Sequence, residues 1–134
     1  MARLVLKFGG TSVADVERLR IVADRVAQVV EDGNEVAVVL SAMAGTTNQL
    51  IEWTQAMSSL HDAREYDAIV SSGEQVTIGL LAMALQEKGI SARSWLGWQI
   101  PIRTDDTHSS ARIEDIDGAE IVRRILGKYR RRER

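Results

Sequence analysis

Arg3-Leu4-Val5-Leu6-Lys7-Phe8-Gly9-Gly10-Thr11-Ser12 is the stretch on which the fold turns. Arg3 to Lys7 reads as a short strand, and its unbroken Leu4-Val5-Leu6 centre suits a strand covered on both faces. Gly9 and Gly10 break that strand, and Thr11-Ser12 offers a helix start. Downstream, Val16, Leu19, Ala23, Val26 and Val30 recur at helical spacing, with Gly33 as the stop. Val36 to Leu40 is a second apolar strand, ending at Ser41. Strand, loop, helix and strand in that order form a crossover unit, which implies a parallel sheet and an α/β fold.

Further along, the loop Ser41-Ala42-Met43-Ala44-Gly45-Thr46-Thr47-Asn48 leads into a helical stretch whose apolar side is Leu50, Ile51, Thr54 and Met57. His61 to Glu65 reads as a connector. Ser71-Ser72-Gly73-Glu74 opens a strong helix through Ile78, Leu81, Ala82 and Leu85, stopped by Gly89. Ala92 to Leu96 and Gln99 to Arg103 read as strand-like segments around Gly97, with Pro101 at an edge or irregularity. Thr104 to Ser110 is a polar loop, and Ile116 to Leu126 a final helix.

The 134 residues, 45% of them hydrophobic, suffice for one domain with a real core. The absence of cysteine excludes disulfides, thiolate metal sites and a cysteine nucleophile. His61 and His108 alone argue against a multi-histidine metal site. No apolar run is expected to cross a bilayer, and Met1 to Lys7 is too short and too charged for a secretory signal. The expected location is the cytoplasm. Charge is uneven: Arg123 to Arg134 holds seven basic residues and one acid, net +6, while the remainder holds 10 bases and 18 acids, net −8. An acidic body argues against nucleic acid as the main partner. The basic tail reads either as cations complementing a helix C-terminus or as a nucleic-acid or membrane patch.

Three polar, glycine-bearing loops carry the candidate chemistry. In open α/β sheets ligands bind beyond the carboxyl ends of the strands, so loops after Lys7 and Leu40 can meet at one sheet edge. Lys7-Phe8-Gly9-Gly10 joins a cation to glycines whose amides can approach a phosphate at a helix entry; the same residues also serve as a tight strand-to-helix turn. The order of lysine and glycines is not that of a Walker A loop. Ser41, Thr46 and Thr47 can orient a small polar substrate, or Thr46 or Thr47 can cap a helix. Glu74 can hold a substrate ammonium, or it is an acid placed in the first helical turn by the macrodipole. Trp95 and Trp98 fit a lid or core packing, and Asp105 and Asp106 a cation or a solvated loop.

Taken together, Lys7-Phe8-Gly9-Gly10-Thr11-Ser12-Val13, Ser41 to Asn48 and Ser72-Gly73-Glu74-Gln75 resemble, in order and spacing, the signature loops of aspartate kinases. Trp98 to Asp106 is similar to a further segment of that family. The resemblance covers residues 1–124, read as the amino-terminal part of an amino-acid kinase domain, a partial three-layer sandwich with a mainly parallel sheet. It implies ATP-dependent phosphorylation of the L-aspartate side-chain carboxylate, with Mg2+, in lysine, threonine and methionine synthesis. By motif position Lys7 would stabilise the transferring phosphoryl group. Phe8, Gly9, Gly10 and Ser41 would lie along the nucleotide phosphates, Thr47 near the aspartate, and Glu74 on its ammonium. No metal ligand is implied among these residues.

The family pattern fails from Ile125 onward, so residues 125–134 are set apart as a basic tail. The family's nucleotide pocket has no counterpart in the sequence. The chain is therefore expected to be a truncated kinase part, inactive alone, that self-associates or pairs with a full-length kinase. A non-catalytic aspartate-binding or kinase-interacting fragment is the alternative.

Overall fold

The computed structural model describes residues 1–129, and the basic residues from Arg130 onward lie outside the described part. The chain divides into two units, Met1–Ser94 and Trp95–Arg134.

In the first unit, β1 (Arg3–Phe8) and β2 (Glu35–Leu40) pair in parallel, in register from Arg3↔Glu35 to Phe8↔Leu40. The crossover is α1 (Val16–Glu31), capped by Asp15, whose carboxylate accepts from the Arg18 N–H at 2.8 Å. Gly33, at φ 88°, turns the chain back. Leu19, Val22, Ala23, Val26 and Ala27 make the buried stripe of α1, and Leu6, Phe8, Val36 and Val38 pack on it from one sheet face. The other face is open: Val5 is 70% and Val39 49% exposed. Coverage on both faces, expected from Leu4-Val5-Leu6, is thus not met among the described residues. The missing cover makes the layered α/β sandwich a partial one.

The loop after β2 enters α2 (Thr46–Met57), followed by α3 (Ala63–Val70) and α4 (Ser72–Glu87). α3 stands where a connector was expected. Asp62 caps it by accepting from the N–H groups of Arg64 and Glu65. None of its residues is buried, so it has no core stripe by which to betray itself. Leu81 and Leu85 of α4 join the α1 core, and each such buried side chain contributes roughly 1.5–3 kcal/mol. Lys88 and Asp24 form an ion pair beyond the end of α4. From Ala63 to Glu87 the two helices make 25 residues long and apolar enough, by length and composition, to cross a bilayer. That corrects the expectation that no such run exists. Thr77, Leu81 and Leu85 of this stretch are buried, while most of its apolar window is not.

In the second unit, Ala119–Tyr129 forms α5 and Ile102–Thr104 (β3) pairs antiparallel with Ile113–Ile116 (β4), with an irregularity at Arg103/Thr104. Ala92 to Leu96 and Gln99 to Pro101 are not strands; the latter form a turn in which the Gln99 N–H donates to Leu96 O. Pro101 stands just outside the ladder, where its missing N–H costs nothing. Ile116 belongs to β4, so the last helix begins at Ala119 rather than Ile116. Arg124 lies over the Trp95 ring at 5.7 Å.

Candidate functional site

Because Phe8 and Leu40 are register partners, the loops after β1 and β2 leave the sheet at one level. The Ser41 N–H donates to Phe8 O at 3.2 Å and ties them together. In the first loop, Ser12 N–H donates to Gly9 O at 3.0 Å and Val13 N–H to Gly10 O at 3.3 Å. Val13, with no exposed surface, anchors that turn in the helical core. Phe8 also faces the core, which leaves its backbone to the loop. Lys7, at the register position of Val39, is exposed.

The second loop meets the third at Ala42. The Glu74 Oε1 accepts from the Ala42 N–H at 3.3 Å. Gly73 sits so close that a Cβ there would stand 2.9 Å from the Ala42 Cβ and 3.3 Å from the Thr46 Cγ2. A Cβ on Gly10 would stand 3.4 Å from the Ala42 carbonyl oxygen. The first and third loops therefore both touch one alanine of the second. These contacts join Gly10, Ser41, Gly73 and Glu74, whereas Lys7 and Thr47 adjoin the cluster through their chain neighbours Phe8 and Thr46. Ala42 and Gly73 themselves were not among the predicted site residues. A methyl and a bare Cα carry no functional group to read, and only the small residue next to Ser41 hinted at a close approach.

Thr46 and Thr47 do not cap α2; they are its first helical residues. The capping position is Gly45, at φ 79°, with no side-chain hydrogen bond. That conformation is one glycine adopts readily. The helix start thus presents main-chain amides with partial positive charge beside the Ser41 loop. Gly45 and Thr46 also border a hollow of about 470 Å³ with Gln49, Leu50 and Trp53. A second hollow, about 440 Å³, lies between α2 and α3 beside Met57, His61 and Tyr66, and includes none of the predicted site residues. His61 and Tyr66 are stacked there, ring centroids 5.2 Å apart.

Two carboxylates of the second unit, Glu120 and Asp105, are displaced from their ordinary ionisation. Side-chain hydrogen bonds from Arg123 and then Arg124 bring Glu120 down to about 2. The N–H groups of Thr107 and Arg112 hold Asp105 below the ordinary carboxylate range, so Asp105 closes the loop between β3 and β4. Among the described residues no group of three or more His, Cys, Asp or Glu is placed to hold a metal ion.

A glycine turn after a parallel strand and a second loop in register with it bring main-chain amides, which suit an anion, near the Glu74 carboxylate, which suits a cation. Residues 2–128 match the Amino acid kinase family, and the chain belongs to that family. Among its relatives, it is 52% identical over 123 residues to the aspartate kinase of Pseudomonas fluorescens, covering 90% of this chain and 30% of that protein. The crystal structure of the Synechocystis aspartate kinase superposes with a TM-score of 0.61 at 49% identity, over 63% of this chain and 14% of that one. Escherichia coli aspartokinase III, solved in complex with aspartate and ADP, superposes over 95% of this chain and 39% of its own with a TM-score of 0.73; at 21% identity it shares the fold. The chain spans about 30% of the length of the curated relatives it matches.

Proposed function

We propose that the chain supplies the phosphate- and aspartate-binding loops of an aspartate kinase, in the cytoplasm, for synthesis of the aspartate-derived amino acids. The observation that carries this reading is the convergence of all three motif loops on Ala42, in a chain about half identical to aspartokinases. In the proposed reaction an oxygen of the aspartate side-chain carboxylate forms a bond to the γ-phosphorus of ATP. The bond from that phosphorus to the β,γ-bridging oxygen breaks, leaving ADP and an acyl phosphate. Positioning and charge neutralisation supply most of the catalysis in such transfers. Lys7 neutralises the transferring oxygens, Gly9 and Gly10 offer amides, and Ser41 lies along the nucleotide side. Thr47 and Glu74 hold the aspartate, Glu74 through its ammonium. Mg2+ bound to the ATP phosphates would add charge neutralisation, with no side chain of this chain assigned to hold it.

In this reading residues 1–124 are the kinase-derived part and 125–134 a basic tail, although α5 runs through that boundary to Tyr129. The 134 residues alone are proposed to lack turnover, consistent with the share of the relatives they span. The open sheet face at Val5 and Val39 favours a second role, self-association or pairing with a full-length kinase.

The test completes the chain with the remaining part of a related aspartate kinase and traps acyl phosphate with hydroxylamine. Lys7→Ala is expected to lower turnover roughly a hundred- to thousandfold, the usual loss for one electrostatic contact to a transition state. Glu74→Gln is expected to raise KM for aspartate more than for ATP. Turnover that survives Lys7→Ala, or equal effects of Glu74→Gln on both substrates, refutes the assigned roles. Robust turnover by the unaided chain refutes the proposed incompleteness.

A further inference from the structure

Ala42 has no polar side chain, yet it meets the start of α4 through its N–H and its methyl and the first loop through its carbonyl oxygen. Its N–H donates to Glu74 Oε1 at 3.3 Å. Its Cβ is what a methyl on Gly73 would strike, at 2.9 Å, and its carbonyl oxygen is 3.4 Å from where a Cβ on Gly10 would stand. It is buried, between the end of β2 and the start of α2. We propose that Ala42 is a positioning residue: its contact with Gly73 sets the separation between the loop that bears Ser41 and leads into Thr47 of α2 and the helix start bearing Glu74. What those loops bind rests on the kinase reading above; the packing does not.

Carbon atoms in contact prefer about 3.5–4.0 Å. A methyl on Gly73 at 2.9 Å from the Ala42 Cβ therefore has to be relieved by movement. The Ala42 Cβ is bonded directly to the backbone and has no torsion by which to swing aside. The Thr46 Cγ2 and Leu50 Cδ1, at 3.3 and 3.6 Å, can rotate away. The backbone of the loop must then retreat by roughly 0.6–1 Å to reach an ordinary contact. That retreat stretches the 3.3 Å bond from Ala42 to Glu74 beyond hydrogen-bonding range. A misplacement of about 1 Å is enough to matter for a positioned substrate, of order a hundredfold in rate. The usual preference for alanine over glycine within a helix is thus expected to be reversed at Gly73.

The contact predicts reciprocal rescue. Four forms of the full 134-residue chain are compared by amide hydrogen exchange and by ¹H–¹⁵N spectra: wild type, Gly73→Ala, Ala42→Gly and the double variant. Gly73→Ala is expected to speed exchange at the Ala42 amide about five- to tenfold, the equivalent of one net hydrogen bond. It should also move the Gly10 amide resonance while leaving Val22 and Val26 of α1 in place. Removing the opposing methyl in the double variant should restore slow exchange at residue 42. Glu74→Ala, which removes the acceptor, should speed the same amide without rescue by Ala42→Gly. An Ala42 amide untouched by Gly73→Ala, or a double variant no slower than the single one, overturns the proposal. Should Gly73→Ala melt too low for spectra, thermal melts decide: a double variant that melts no higher than Gly73→Ala also overturns it. L-Aspartate added to the wild-type sample separates the two readings. A spectrum unmoved by L-aspartate counts against the kinase reading and leaves the rescue result standing.

Discussion

Val13 and Val16 are the same residue three positions apart, and the structure gives them opposite weight. Val13 has no exposed surface and closes the first loop onto the helical core, whereas Val16 opens α1 and is 54% exposed. Val13→Ala removes two buried methyl groups, worth about 1.6 kcal/mol at about 0.8 kcal/mol for each buried carbon group. A residual void of about 30 Å³ adds roughly 0.7 kcal/mol at about 24 cal/mol per Å³. The expected loss is therefore about 2–2.5 kcal/mol. Val16→Ala gains helix propensity and loses little burial, so it should stay within about 0.5 kcal/mol of the parent. Urea unfolding followed by circular dichroism measures both, with equal slopes required for the comparison. Equal losses at the two positions would show that the Gly9–Gly10 turn is not pinned to the core. The arrangement of the first loop would then have no mechanical support.

Glu120 titrates near 2 in the folded chain against an ordinary 4.5, so its contribution to α5 is fully present above 4.5 and is lost as pH falls toward 2. The helical signal of the parent should exceed that of Glu120→Gln at neutral pH and converge with it across that acidic window, and less so at high salt because the pair is exposed. Val5→Thr with Val39→Thr keeps β-branched strand residues but breaks the apolar face. The double variant should scatter light as a smaller particle than the parent at equal concentration, and a monomeric parent with a cooperative melt would refute the idea that this face associates.

How much of this was readable from the chain depends on what each residue had to announce itself with. β1 and β2 declared themselves as short apolar runs, Leu4-Val5-Leu6 and Val36 to Leu40, and α1 because Leu19, Ala23 and Val26 follow the spacing of one buried face. α3 lacked any buried residue and so offered no stripe. β4 reads Ile-Glu-Asp-Ile and is exposed throughout, with two acidic residues that strands seldom favour. Ala92 to Leu96 read as strand-like but has no ladder partner in the described part. At the proposed site, Lys7, Ser41 and Glu74 stood out in the sequence because their side chains carry charge or hydroxyl groups. The Gly73–Ala42 contact joins positions far apart in sequence and is made by atoms without chemistry of their own, so only the fold could disclose it.

The unstaggered pairing of β1 with β2, from Arg3↔Glu35 to Phe8↔Leu40, limits where this chain can tolerate length variation. Deleting one residue inside either strand turns every later side chain of that strand to the opposite face. In β2 such a deletion sends Val39 inward, Leu40 outward, and draws Ser41 into the ladder. Homologous chains should therefore gain and lose residues between α2 and α3, where Ser58 to His61 are exposed and outside any ladder. Within the two strands they should vary by substitution alone.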